Sequence, residues 1–266
     1  MKPSFPRIFI ASVLLMTMAG SCEKHHYNST ISESTNRNIE WPVYGRDYYG
    51  SRYLPVSDIN RQNVDSLKIA WTYRTGELDP QYETDKPTSF QATPIVVDGV
   101  MYISTPLGRV VAVNPETGEE FWEYDPNIRR DVGYGDFANR GVATWMDETA
   151  SETDLCGRRI YVGTAQSQLI ALDSESGELC RDFGNNGMVN LREGLRLPPQ
   201  EDAAYSLTSP PLAVNGMVIV GSSIADNTWP DPASGEIRAF DARSGELQWS
   251  WDPIPQSPDD PAYDDW

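Results

Sequence analysis

Histidine is almost missing from this 266-residue chain: His25 and His26 are the two it has, side by side near the N-terminus. Everything after them must work without imidazole. That excludes a Ser-His-Asp triad, a Cys-His nucleophile pair or a His-based zinc site from the body of the chain. Positive charge is scarce too, with 21 Lys and Arg against 39 Asp and Glu and a formal net charge of −18. Nucleic-acid phosphates call for basic patches, so no nucleic-acid partner is expected. An acidic surface suits solubility and an affinity for divalent cations. Helical periodicity is sparse, while Gly and Pro each number 20, which favours a strand-and-turn architecture.

Long apolar runs are confined to the start. Lys2 and Arg7 precede "IFIASVLLMTMAGSC", which ends in small residues and Cys22. The run is short for a membrane span and flanked as a secretory signal, so residues 1–21 read as a signal peptide. Small residues directly before a Cys resemble a bacterial lipoprotein signal, which makes Cys22 the candidate lipidation site. Ala19 stands where Leu is commoner, and ordinary signal-peptide cleavage is the alternative. Residues 22–40 are polar and aperiodic and read as a tether. Two cysteines remain, Cys156 and Cys180. An exported chain allows them to pair, and the spacing alone leaves that open.

What is present is a repeat. "AVNPETGEEFW" (Ala112 to Trp122), "ALDSESGELCR" (Ala171 to Arg181) and "AFDARSGELQW" (Ala239 to Trp249) share one frame. It runs Ala, then Asp or Asn two on, Gly four further, and Trp or Arg four further. The copies recur at intervals of roughly sixty residues, the signature of a repeat architecture. Each follows an apolar, β-branched stretch such as "PIVVDGVMYIST" or "PPLAVNGMVIVGSS". There Asp-Gly and Asn-Gly sit where tight hairpins form. The Asx side chain of each frame can bond turn amides, and its Gly can supply positive φ. One repeat therefore reads as a four-stranded antiparallel sheet. Such a sheet must stack on neighbours, and the circular solution is an all-β propeller. The Trp is expected to dock between adjacent blades, with a small Ala on a neighbouring strand leaving room for its ring.

"WPVYGRDYYGSRYLPVSDINRQNVDSLKIAWTYRTGE", from Trp41 on, resembles the opening of the quinoprotein dehydrogenases that carry pyrroloquinoline quinone (PQQ). The likeness continues through "FQATPIVVDGVMYISTPLGRVVAVNPETGEEFWEYDP", "NRGVATW", "RRIYVGTAQSQLIALDSESGELCRDFG" and "SLTSPPLAVNGMVIVGSSIADN". It implies an eight-bladed propeller with PQQ and a divalent cation, Ca²⁺ or Mg²⁺, on its axis, residues 41–266 supplying about half of the blades. The segments "GSSIADN" and "SGEIRAFDARSGELQWSWDPIP" look most like the glucose- and polyol-oxidising branch.

Carried over by position, the resemblance makes Arg140 the partner of a PQQ carboxylate, a role that suits a bidentate guanidinium. Thr208, Ser223 and Gln91 become polar contacts to PQQ, Gln91 standing where the family commonly has Glu. Asp226 and Asn227 match the metal-binding acid and amide, hard oxygen ligands for a hard cation. Alone, an Asp-Asn pair is more often a turn. Tyr134 and Gly135 replace the vicinal Cys pair of alcohol-type members. The family's catalytic Asp falls beyond Trp266, so no catalytic residue is assigned and residues 1–266 alone are expected to be inactive. The expected protein is an exported, periplasmic, lipid-anchored dehydrogenase of a sugar, polyol or alcohol. It would pass electrons to membrane quinone or a cytochrome. The alternative is a non-enzymatic envelope-assembly scaffold, which has no need of Arg140, Thr208, Asp226 and Asn227. A lectin-like propeller predicts exposed aromatics repeated at blade tips, a pattern the sequence lacks.

Overall fold

The frame's turn chemistry explains the architecture of the computed structural model, which describes residues 40–151, 154–225, 232–260 and 262–265. Cys22 and the pair Asp226 and Asn227 lie outside those residues, as do the signal and most of the tether. Asn114, Asp173 and Asp241 each accept two turn amides on Oδ1: Glu116 and Thr117, Glu175 and Ser176, Arg243 and Ser244. The frame glycines Gly118, Gly177 and Gly245 have φ of 73°, 71° and 72°. The Asp98-Gly99 and Asn215-Gly216 hairpins place both residues at positive φ, the tight-turn geometry expected of those pairs.

These turns close three four-stranded antiparallel sheets among the described residues. After β1 (Thr88–Phe90), blade 1 runs β2 (Ile95–Val97), β3 (Val100–Ser104), β4 (Val110–Val113) and β5 (Glu120–Tyr124). After β6 (Phe137–Asn139), blade 2 runs β7 (Ala143–Met146), β8 (Arg158–Gly163), β9 (Gln168–Asp173) and β10 (Met188–Asn190). Following β11 (Tyr205–Ser206), blade 3 contains β12 (Leu212–Val214) and β13 (Met217–Val220). It continues past β14 (Ser223–Ile224) to β15 (Ile237–Asp241) and β16 (Leu247–Trp251). The short strands pair outside the blades, β1 parallel to β6 and β11 antiparallel to β14. Where the sequence suggested about half of an eight-bladed ring, three full blades are present among the described residues. Trp71 and Tyr73 also pack against blade 1 from a segment that forms no strand.

Blade 2 is the filling of a sandwich. Ile160, Val162, Ile170 and Leu172 meet Ile95, Val97, Val110 and Ala112 of blade 1. On its other face Tyr161, Leu169 and Ala171 meet Val218, Val220 and Phe240 of blade 3. Fully burying one such aliphatic side chain stabilises by about 1.5–3 kcal/mol, so these two faces dominate the packing.

The Trp of the frame has two jobs. The Trp122 indole donates to the Ser174 carbonyl at 2.9 Å, and its ring lies on Gly177, where an added Cβ would sit 2.6 Å away. Trp71, from the strandless segment before blade 1, repeats the geometry on Gly118 and the Pro115 carbonyl at 3.1 Å. The seat of the ring is thus the turn glycine of the next blade. Ala112, a small residue on the neighbouring strand, is the cross-strand partner of Trp122 within its own blade. In each repeat the residue after the Asx offers its carbonyl to the preceding blade. Pro115 accepts from Trp71, Ser174 from Trp122 and Tyr102, and Ala242 from Tyr161.

Candidate functional site

The strands that enter successive blades lie side by side, and their backbones hold three of the expected cofactor contacts in register. The parallel pairing of β1 with β6 ends at Phe90 opposite Asn139, one residue before Gln91 and Arg140. The amide of Thr93 then donates to the Arg140 carbonyl at 3.1 Å, and the amide of Arg140 to the Thr208 carbonyl at 2.9 Å. Gln91, Arg140 and Thr208 are so carried on three adjacent inner segments, one from each blade entry.

Side chains follow the backbone. Arg140 Nη1 donates to Thr208 Oγ1 at 2.5 Å, across 68 residues of sequence. Arg140 is half-buried, and no carboxylate pairs with it among the described residues. In a chain so rich in acid, that leaves a guanidinium with donors to spare. Gln91 is exposed and its amide donates to Ser89 Oγ at 2.8 Å. Ser223 is exposed on β14, opposite Ser206 of β11, two residues before Thr208. Asp226, which follows β14 by two residues, and Asn227 lie outside the described residues.

Asn139 was not singled out from the sequence, yet it braces the site. It is 2 % exposed. Its Nδ2 donates to the Gly163 carbonyl at 2.7 Å, and its Oδ1 accepts the Gly141 amide at 3.0 Å. The turn carrying Arg140 is therefore tied to β8 by one end of this amide and braced internally by the other. Gly141 is needed there because its φ is +145° and an added Cβ would lie 3.1 Å from the Thr93 carbonyl. The signal available in sequence was an Asn before "RG" at a strand end, which is where an Asx side chain bonds local backbone. Cys156 and Cys180 form a disulfide with a Cα separation of 5.7 Å, and Tyr134 is buried against Phe137.

The fold is that of a partial β-propeller, with a guanidinium and a hydroxyl in contact where its blade-entry segments meet. The sequence model described as the β-propeller domain of PQQ glucose, ethanol and alcohol dehydrogenases matches residues 41–266. The chain belongs to that family. It is 36 % identical over 224 residues to quinoprotein glucose dehydrogenase A of Acinetobacter calcoaceticus, covering 80 % of this chain and 28 % of that protein. To the quinoprotein glucose dehydrogenase of Escherichia coli K12 it is 33 % identical over 256 residues, 92 % of this chain and 32 % of that one. It also resembles the crystal structure of quinohemoprotein alcohol dehydrogenase from Comamonas testosteroni. That match has a TM-score of 0.63 and 33 % identity over 84 % of this chain and 28 % of the other. The chain thus spans under a third of the length of these relatives.

Proposed function

We propose that this chain supplies one wall of a PQQ and divalent-cation site in an exported dehydrogenase of sugars, polyols or related alcohols. The observation that carries the reading is the Arg140–Thr208 contact. A half-buried guanidinium meets a hydroxyl rather than a carboxylate, as it would if an anionic ligand were to complete its shell. PQQ is a tricarboxylate quinone, and when bound it supplies the two-electron acceptor for oxidation of a substrate carbinol. The residues present fit such a group. Arg140 would take a carboxylate with its remaining N–H donors. The Thr208 oxygen is already engaged by Arg140, so its own O–H is free to donate to the ligand. Ser223 and Gln91 add exposed polar groups on neighbouring segments. Asp226 and Asn227 would offer oxygen ligands to Ca²⁺ or Mg²⁺, and a cation beside a quinone carbonyl polarises it.

The same reading places Cys22 under a lipid anchor on the periplasmic side of a membrane, with membrane quinone or a cytochrome as electron acceptor. The test compares reconstitution of Arg140→Ala and Asp226→Ala with PQQ across a range of Ca²⁺ concentration. Asp226→Ala should be rescued in part by high Ca²⁺. Arg140→Ala should stay weak at every Ca²⁺ level. Wild-type behaviour of both variants would remove the site assignment.

A further inference from the structure

The end of β8 grips both halves of the Arg140–Thr208 contact. Asn139, the residue before Arg140, donates its side-chain amide to the Gly163 carbonyl at 2.7 Å. Leu207, the residue before Thr208, donates its backbone amide to the Thr164 carbonyl at 3.1 Å. The two donors come from different blade entries, yet their acceptors are neighbours in sequence where β8 ends. Two consecutive peptide carbonyls of blade 2 thus set the places from which both polar side chains reach out.

Gly163 contributes by what it lacks. It is a buried strand residue, and an added Cβ would lie 2.7 Å from Leu207 Cδ2 and 2.8 Å from Leu207 Cβ. A glycine inside a strand often marks the close approach of another segment. Here that segment carries Thr208. Leu207 is itself 3 % exposed. Because its Cβ is among the atoms met, a side chain at position 163 has to move the Leu207 backbone as well as its flexible end.

The corner is firmly built. The Thr164 amide donates to the Gln168 carbonyl at 3.0 Å and closes the β8–β9 turn. Ser167, in the same turn, donates through its hydroxyl to the Tyr205 carbonyl at 2.5 Å. Residues 205 and 207 are therefore both fastened to this one turn. Asn139, Thr164 and Ser167 are all buried and all bonded, so the grip is not shared with solvent.

We propose that Asn139 and Gly163 are positioning residues for the candidate cofactor site. Through the end of β8 they set the distance at which the Arg140 guanidinium and the Thr208 hydroxyl meet, 2.5 Å. Neither touches the ligand. Groups already held in their bound arrangement lose less freedom on binding, and affinity rises accordingly. The inference rests on the reading of Arg140 and Thr208 as contacts to an anionic cofactor.

The first test uses the full chain without cofactor. Nitrogen-15 NMR of the Arg140 guanidinium reports whether rotation about its Nε–Cζ bond is hindered. Wild type should show slow rotation and distinct Nη signals. Gly163→Ala and Asn139→Ala should each give averaged signals. Val97→Ala truncates a buried residue of blade 1, so it controls for a general loss of stability and should leave the Arg140 signals as they are in wild type. PQQ titration followed by Trp fluorescence reads the consequence. Each positioning variant should bind roughly 3–10-fold more weakly, the worth of about one hydrogen bond. In the Arg140→Ala background, Gly163→Ala should add almost nothing.

Averaged Arg140 signals in wild type overturn the proposal. So do signals that Val97→Ala changes as much as the two positioning variants do, or a Gly163→Ala penalty that persists in full beside Arg140→Ala. Circular dichroism checks folding. If one positioning variant does not fold, the other decides, and the wild-type spectrum can overturn the proposal without either. If Arg140→Ala binds PQQ as wild type does, the reading of the cofactor site falls, while the NMR result still judges the positioning.

Discussion

The two blade–blade interfaces do the same job with different chemistry. Between blades 1 and 2 the work is aromatic: Trp122 and Tyr102 both donate to the Ser174 carbonyl, at 2.9 and 3.1 Å, and the indole covers Gly177. Between blades 2 and 3 the Trp of the frame is replaced by the exposed Arg181. Gly245 has no ring to receive; its neighbour is the Gly184 backbone, whose amide donates to the Ser244 carbonyl at 2.7 Å. Tyr161 takes the equivalent carbonyl of Ala242, and Arg159 donates to the Arg243 carbonyl at 2.7 Å. Arg159 is itself oriented by the carbonyl of Cys156 at 3.2 Å, and Cys156 is tied by its disulfide to Cys180, the residue before Arg181. What the repeat requires is a donor to the carbonyl after each Asx and a close approach at each turn glycine. A Trp is one way to supply them, and a covalently braced Arg and Tyr are another.

That contrast predicts unequal responses to mutation. The largest effect is expected from Trp122→Ala. It empties the seat on Gly177 and removes a donor, and truncating a buried Trp typically costs about 3–5 kcal/mol. Urea denaturation followed by intrinsic fluorescence should show it, with Trp145 still reporting on blade 2. The matching change at the other interface, Arg181→Ala, should move the midpoint very little, because Arg181 is exposed and its side chain has no hydrogen bond or ion pair among the described residues.

Breaking the disulfide comes next. Cys156→Ala combined with Cys180→Ala opens a loop with a sequence separation of 24, for which about 2–4 kcal/mol is typical. The loss should fall on blades 2 and 3. Hydrogen exchange should rise at Arg159, Gly184 and Ser244 before it rises in β3 or β4. Equal exchange across both interfaces would refute the division of labour described above.

A smaller, pH-dependent effect separates the tyrosines. Burial pushes the Tyr102 phenol up to about 12 and the Tyr161 phenol further still. An ordinary tyrosine titrates near 10. A folded-state pKa above the unfolded value means that the native state holds the proton more tightly. The stability is therefore complete below about pH 10 and is lost as pH rises through 12. Phenolate absorbance should show the two buried rings ionising only with unfolding. Tyr161→Phe should cost about 0.5–1.5 kcal/mol at neutral pH, the range of one hydrogen bond.

The hairpins, the turn glycines, the Asx caps and the all-β stacking were legible in sequence because each is a local preference of a few residues. The resemblance named Arg140 and Thr208 each as a cofactor contact, but their pairing with one another was not legible, since the two are joined by strand register across 68 residues. Other features had no local signature. The ring of Trp122 rests on a glycine of the next repeat, and no spacing within one frame reveals a partner in another. Asn139 and Leu207 reach the end of β8 from two different blade entries. The replacement of Trp by Arg181 was visible, but its compensation by Arg159, Tyr161 and the disulfide required the packed interface.

The claim that matters most for function is that Arg140 and Thr208 act as one unit on an anionic ligand. A double-mutant cycle on PQQ binding tests it most directly, using Arg140→Ala, Thr208→Val and the pair, with Trp fluorescence as the readout. The account predicts that Arg140→Ala weakens binding by about 10-fold or more, as expected for a hydrogen bond to a charged group. It also predicts that the double variant loses clearly less than the sum of the two singles, because the side chains touch. Strictly additive losses, or PQQ binding that ignores both substitutions, would contradict it.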